Sequence, residues 1–226
     1  MFMSNLRRMA KKNRGVMLAV VVILCIGLLS SYAMMGSWGL NSLKSQISAK
    51  EKAVLNQYKV LESAKPDDYY SGYLKLGNLL IDLADLYKRN NESSKSKSAL
   101  TDAAAAFGEV FKNKPGTLSA EGQADLLSLQ AELTYAGGNS TKAEGLYEAA
   151  IDCAPLYLQV NKDYFKFLNS TKGENWREVV LEKAEEYQER LIADDPDKVK
   201  PATVANMTYI EGLINALESG VEIDWS

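Results

Sequence analysis

After residue 40 the apolar side chains recur every three or four positions. Tyr73, Leu76, Leu79, Leu80, Leu83, Leu86 and Tyr87 fall on one broad stripe, the spacing of a helix with one buried face. A looser pattern of the same kind, Leu43, Ile47, Val54, Tyr58 and Leu61, predicts a helix that ends before Pro66. Further helices are predicted over Ser98–Lys112, Ser119–Ala136, Ser140–Asp152, Leu156–Asn169, Trp176–Ala193 and Ala202–Leu217. The segments between them are short and polar or carry Gly and Pro, so neighbouring helices should run antiparallel. Lys88–Lys97, rich in Asn, Ser and Lys, reads as an exposed mobile loop. No stretch alternates β-branched and polar residues, and the expected fold class is all-α.

Before residue 40 the pattern is different. Gly15–Met35 contains no charged side chain, and Arg7, Arg8, Lys11, Lys12 and Arg14 precede it. A helix of 21 residues would be about 31 Å long, enough to cross a hydrocarbon core of about 30 Å. The cationic flank predicts a cytoplasmic N-terminus and an extracytoplasmic body, with Trp38 as an interfacial anchor. The rival reading is a signal peptide cleaved after Ala33, on the loose small-x-small exit Ser31-Tyr32-Ala33. Cys25 follows the large Leu24, a poor match to a lipoprotein signal.

The expected layout is therefore a basic N-terminus (1–14), a transmembrane helix (15–35), a juxtamembrane helix (36–65), helical repeats (66–200) and a capping helix with a tail (201–226). The repeats are predicted from the prolines. Pro115, Pro155 and Pro196 follow one another at intervals of 40 and 41 residues, and each closes the second helix of a pair. Relative to Pro155, Ala150, Tyr147 and Ala143 precede it in the second helix, Gly138 makes the turn and Ala131 lies in the first helix. Small residues let the two backbones approach, and the aromatic fills the gap to the next pair.

This unit resembles the tetratricopeptide repeat. Ala103 and Phe107 match it before Pro115; Ala184 matches before Pro196, with Tyr187 one place from the aromatic position. The resemblance covers about Tyr70–Asp197 and implies an α-solenoid of about three hairpins. Ala202–Leu217 would cap it, with Val204, Met207, Ile210, Leu213, Ile214 and Leu217 inward and Asn206, Glu211 and Glu218 outward. Trp225 is expected either to fold back onto that cap or to engage a neighbour. The resemblance also implies a concave surface lined by Asp125, Ser128, Glu132 and Tyr135 on one first helix and Gln159, Asp163 and Lys166 on the next.

Charge and chemistry narrow the function. Five of the 26 basic residues precede residue 16, leaving 21 against all 29 acidic residues, so the body is acidic and no nucleic-acid partner is expected. There is no histidine, no phosphate-cradling glycine loop and no cysteine cluster. No catalytic or metal-binding residues and no cofactor are therefore expected. The acid pairs Asp67-Asp68, Glu185-Glu186 and Asp194-Asp195 read as solvated charges, and Cys153 as a core thiol. The expected role is a membrane-anchored scaffold or accessory subunit that binds protein partners, a larger integral membrane complex among them. Membrane lipid would surround 15–35. The alternatives are a secreted adaptor, or an enzyme working with carboxylates and a metal ion.

Overall fold

The computed structural model describes residues 42–223 and 225. The basic leader and the candidate span at 15–35 lie outside the described residues. Among the described residues no helix is long and apolar enough to cross a membrane. The chain divides into two compact units between Ala49 and Lys50. In the first, residues 42–49 are helical and Gln46 donates to the Ser42 hydroxyl at 3.3 Å.

The second unit is all-α among the described residues. Its first helix, α1 (50–62), is followed by α2 (Tyr69–Arg89), α3 (Ser93–Lys112), α4 (Ala120–Ala136), α5 (Ser140–Cys153), α6 (Leu158–Thr171), α7 (Trp176–Asp194) and α8 (Pro201–Ser219). From α2 onward each helix packs against the next in sequence, and α4 also packs against α6. Short connections enforce this order because they leave the chain no reach to a distant neighbour.

Residues 50–62 of α1 lie on α2. Val54 and Leu61 are buried, Lys50 pairs with Asp82 at 2.8 Å, and the Tyr87 hydroxyl donates to Glu51 at 2.6 Å. Burial and Glu51 together raise the Tyr87 phenol to about 12. Tyr58, expected on the buried stripe, is 41% exposed. Gln57 takes its place, buried through a hydrogen bond from its amide to the Gly72 carbonyl at 3.1 Å.

The loop expected at Lys88–Lys97 is a tight turn of three residues. Asn91 adopts φ +60°, a left-handed conformation that asparagine tolerates, and α3 begins at Ser93. The reason is Ser96, which is buried and donates to the Ala84 carbonyl at 2.9 Å. A serine-rich turn without apolar residues can thus pack by its smallness. The extra length of this pair relative to the repeat lies in its helices.

Ala103, Ala131, Ala143, Ala150 and Ala184 have no exposed surface, and Phe107 and Tyr147 are buried beside them. Gly138 has φ +104°, a conformation that a Cβ would strain, and Pro155 follows the end of α5. Tyr187 is fully buried and its hydroxyl donates to the Leu156 carbonyl at 3.0 Å; burial first raises this phenol to about 12.

Helix α8 covers α7 with Met207, Ile210, Leu213 and Leu217. Val204, expected inward, is 45% exposed, and Thr203 occupies the buried register. Asn206, expected outward, is half-buried and donates to the Leu156 carbonyl at 3.4 Å. Trp225, expected to fold back onto the cap, instead meets Trp176 at the start of α7 edge-on at 6.3 Å, and Arg177 donates to the carbonyls of Gly220 and Val221. Asp195 is not a solvated charge. It is buried and accepts the Lys200 backbone N–H at 2.8 Å, which holds its carboxyl below the usual range. Asp194 pairs with the Lys200 ammonium at 2.8 Å. Cys153 is half-buried, where full burial was expected.

Candidate functional site

Helix α4 starts at Ser119, whose extended backbone turns its hydroxyl to accept the Gly122 N–H at 3.1 Å. It ends at Gly137-Gly138, and Asn139 then caps α5 by accepting the Lys142 N–H at 3.0 Å. These caps fix the register. Ala124, Leu127, Ala131 and Thr134 are buried, while Asp125, Glu132 and Tyr135 stay exposed. On α6 the buried side is Val160, Asn161, Tyr164, Phe165 and Leu168. Gln159, Asp163, Lys166 and Ser170 follow one another at three- and four-residue spacing beside it.

Direct packing of α4 on α6 brings the two polar lines together. The Ser128 hydroxyl donates to Asp163 Oδ2 at 3.2 Å, and the Gln159 amide donates to Asp163 Oδ1 at 2.9 Å. Asp125, one turn before Ser128, is exposed and adds its charge to the environment of Tyr157 at the entry to α6. Glu132, Tyr135 and Lys166 line a recess of about 320 Å³ with Asp163, Tyr147, Phe167 and Ser170. The seven residues expected on this surface lie on α4 and α6: Ser128, which is buried, and Gln159 bond to Asp163; Glu132, Tyr135 and Lys166 share its recess; and Asp125 stands exposed one turn before Ser128.

Aromatic rings form the recess wall. Tyr135 meets Phe167 edge-on at 5.3 Å and 87°, and Phe167 in turn lies 5.1 Å from Tyr147. Sequence reasoning gave Tyr147 a packing role only and missed Phe167 and Tyr157. Phe167 stands four positions after Asp163, which was the available signal. Tyr157 precedes α6 and no helical spacing points to it.

Negative charge dominates this face. Burial raises the Tyr147 phenol, and the nearby Glu132 and Asp163 raise it further. Tyr157 is raised by burial and then by Asp125, Glu121 and Asp163. Asp163 itself is raised by burial, with Asp125 adding to the effect; Gln159, Ser128 and Lys166 oppose it. Among the described residues Asp163, Asp125 and Glu132 form no ion pair within 4.0 Å.

A pH dependence follows for Asp163. Its ionised form is less favoured in the folded chain than in the unfolded one, so its contribution to stability falls as pH rises from about 4, the unfolded value, through the raised folded pKa. Asp163→Asn keeps an acceptor for Gln159 and removes the charge. The variant should gain stability relative to the parent between pH 4 and pH 7 in thermal melts, with Asp125, Glu132, Tyr147, Tyr157 and Lys166 unchanged around it. A difference that does not vary with pH would contradict this.

Further recesses among the described residues include two on other faces. One, about 580 Å³, lies at the corner between Cys153–Leu158 and the start of α8; of its charged groups Glu121, Asp194 and Lys200, the last two pair. The other, about 300 Å³, is bordered by Glu148, Asp152, Lys183, Glu186 and Arg190. Among the described residues no group of three His, Cys, Asp or Glu side chains is arranged to hold a metal ion.

No curated protein matches the chain. Residues 41–191, about two thirds of the sequence, match the profile of a family described as an uncharacterized protein conserved in bacteria, and the match spans both α4 and α6. The chain belongs to this family, DUF2225.

Proposed function

We propose that the chain is a scaffold or accessory subunit that binds an extended segment of a partner protein along the α4/α6 face, on the extracytoplasmic side of a membrane. The uncharged run Gly15–Met35 and the five cations before it support the anchor and its orientation. The hairpins α2/α3, α4/α5 and α6/α7, closed by α8, support a tetratricopeptide-like solenoid in which α4 and α6 are successive first helices.

The observation that carries the binding role is the Ser128–Asp163 hydrogen bond. It joins two first helices from different hairpins, so that donors, acceptors and rings from both lie along one row beside an open recess. Such a row grips a peptide by hydrogen bonds and aromatic contact. Tethering the scaffold to the membrane would raise its effective concentration for partners on the same surface.

Affinity purification in mild detergent tests the reading. Chains that co-purify with the parent should be lost with the double variant Tyr135→Ala/Glu132→Lys, while Glu189→Lys on α7 keeps them. Equal recovery with both variants would refute a role for this face. Protease added outside intact cells or spheroplasts should remove the body of the protein and spare the N-terminus; protection of the body would refute the orientation.

A further inference from the structure

We propose that the segment bound on the α4/α6 face is basic, its lysine or arginine side chains seated between Asp125, Asp163 and Glu132 and against the Tyr135 ring. This inference rests on the reading of that face as a docking surface. Charge complementarity supports it. Four carboxylates, Glu121, Asp125, Glu132 and Asp163, act on the tyrosines of this face. Lys166 is the cation that acts on Asp163.

Asp163 is half-buried and has given up part of its hydration, and the two hydrogen bonds it accepts come from neutral groups, Ser128 and Gln159. A cation arriving from a partner therefore meets a carboxylate without an ion pair among the described residues, in a setting where charge–charge attraction is weakly screened. The aromatic wall adds to the selection. Tyr135 is 36% exposed at the recess and presents a ring to which an ammonium or guanidinium is attracted. An acidic segment would meet like charge at each of these positions. A neutral one would leave Asp163 as it is.

The test uses the full chain in mild detergent, with p-benzoylphenylalanine in place of the exposed Ser170 at the edge of the recess. The probes are three fluorescent ten-residue peptides of alternating alanine with lysine, glutamine or glutamate. The lysine peptide should crosslink most strongly and bind most tightly by fluorescence anisotropy. The triple variant Asp125→Asn/Glu132→Gln/Asp163→Asn should weaken that binding by at least about tenfold. Removing equal charge elsewhere, with Glu174→Gln/Glu182→Gln/Glu189→Gln, should change it less than about twofold.

Equal losses in the two triple variants would mean attraction to overall charge and would overturn the proposal. Crosslinking of the glutamine peptide as strong as that of the lysine peptide would leave the docking surface in place and overturn the basic class. No crosslink with any peptide would overturn both. Circular dichroism of each variant, with unchanged helix content, ties a loss of binding to the face itself.

Discussion

Phe107→Ala is expected to destabilise the folded chain by about 3–5 kcal/mol, the usual range for emptying a buried aromatic site. The ring is 1% exposed and sits between α2 and α3, against Gly77. A Cβ built on Gly77 of α2 would lie 2.6 Å from Phe107 Cε2 and 2.9 Å from Cδ2. Gly77 is thus a glycine because the ring fills the space a side chain would take.

That mutual exclusion gives the prediction a second part. Gly77→Ala alone gains about 1 kcal/mol of helix propensity but must displace a buried ring, at about 1–3 kcal/mol. In the Phe107→Ala background the new methyl enters the vacated space, and Gly77→Ala should become stabilising. Urea unfolding of the two single variants and the double variant measures the coupling. Additive effects would show that the two positions do not share space.

Asn161→Leu should cost about 3 kcal/mol, because it removes three hydrogen bonds made by one buried amide. Asn161 is fully buried. Its amide donates to the Tyr157 carbonyl at 2.9 Å and the Pro155 carbonyl at 3.3 Å, and its oxygen accepts from Arg190 at 3.3 Å. The Arg190 Nε is buried without a partner already. Leucine would leave both carbonyls and the guanidinium without these bonds.

The effect should reach the binding face. Asn161, Tyr187 and Asn206, from three different helices, all bind the corner Pro155–Tyr157 that leads into α6. Thermal melts should show the loss of stability, and native-state hydrogen exchange should show faster opening at the start of α6. A variant as stable as the parent would mean that the corner is held by other contacts.

The contrast between Asn161 and Phe107 explains what the sequence discloses. Hydrophobic period, caps and small-residue crossings located α4 and α5 to within a residue or so, because Ser119, Gly138 and Asn139 act on their own neighbours. The row from Asp125 to Tyr135 and that from Gln159 to Lys166 were legible because a helix fixes the relative direction of residues three and four apart. Their meeting was implied by the resemblance to stacked hairpins. Individual bonds between them were not.

Buried polar residues were the hidden part. Gln57, Ser96, Asn161, Asp195 and Thr203 carry no apolar signal, and each is buried. Ser96 and Asn161 depend on partners 12 and 29 residues away in sequence, which local spacing does not report. Ser96 is why the expected Lys88–Lys97 loop is largely helix. Thr203 is why the cap's first inward position was assigned to Val204 instead.

Hydrogen exchange on the complex that co-purifies with the full chain is the most direct check on the proposed role. Bound and free protein should differ chiefly at α4 and α6, with slower exchange from Ala120 to Ala136 and from Leu158 to Thr171, and little change in α8. Protection confined to α7, α8 and the tail, or none in α4 and α6, would mean that partners dock elsewhere and that the row built around Asp163 is not the binding face.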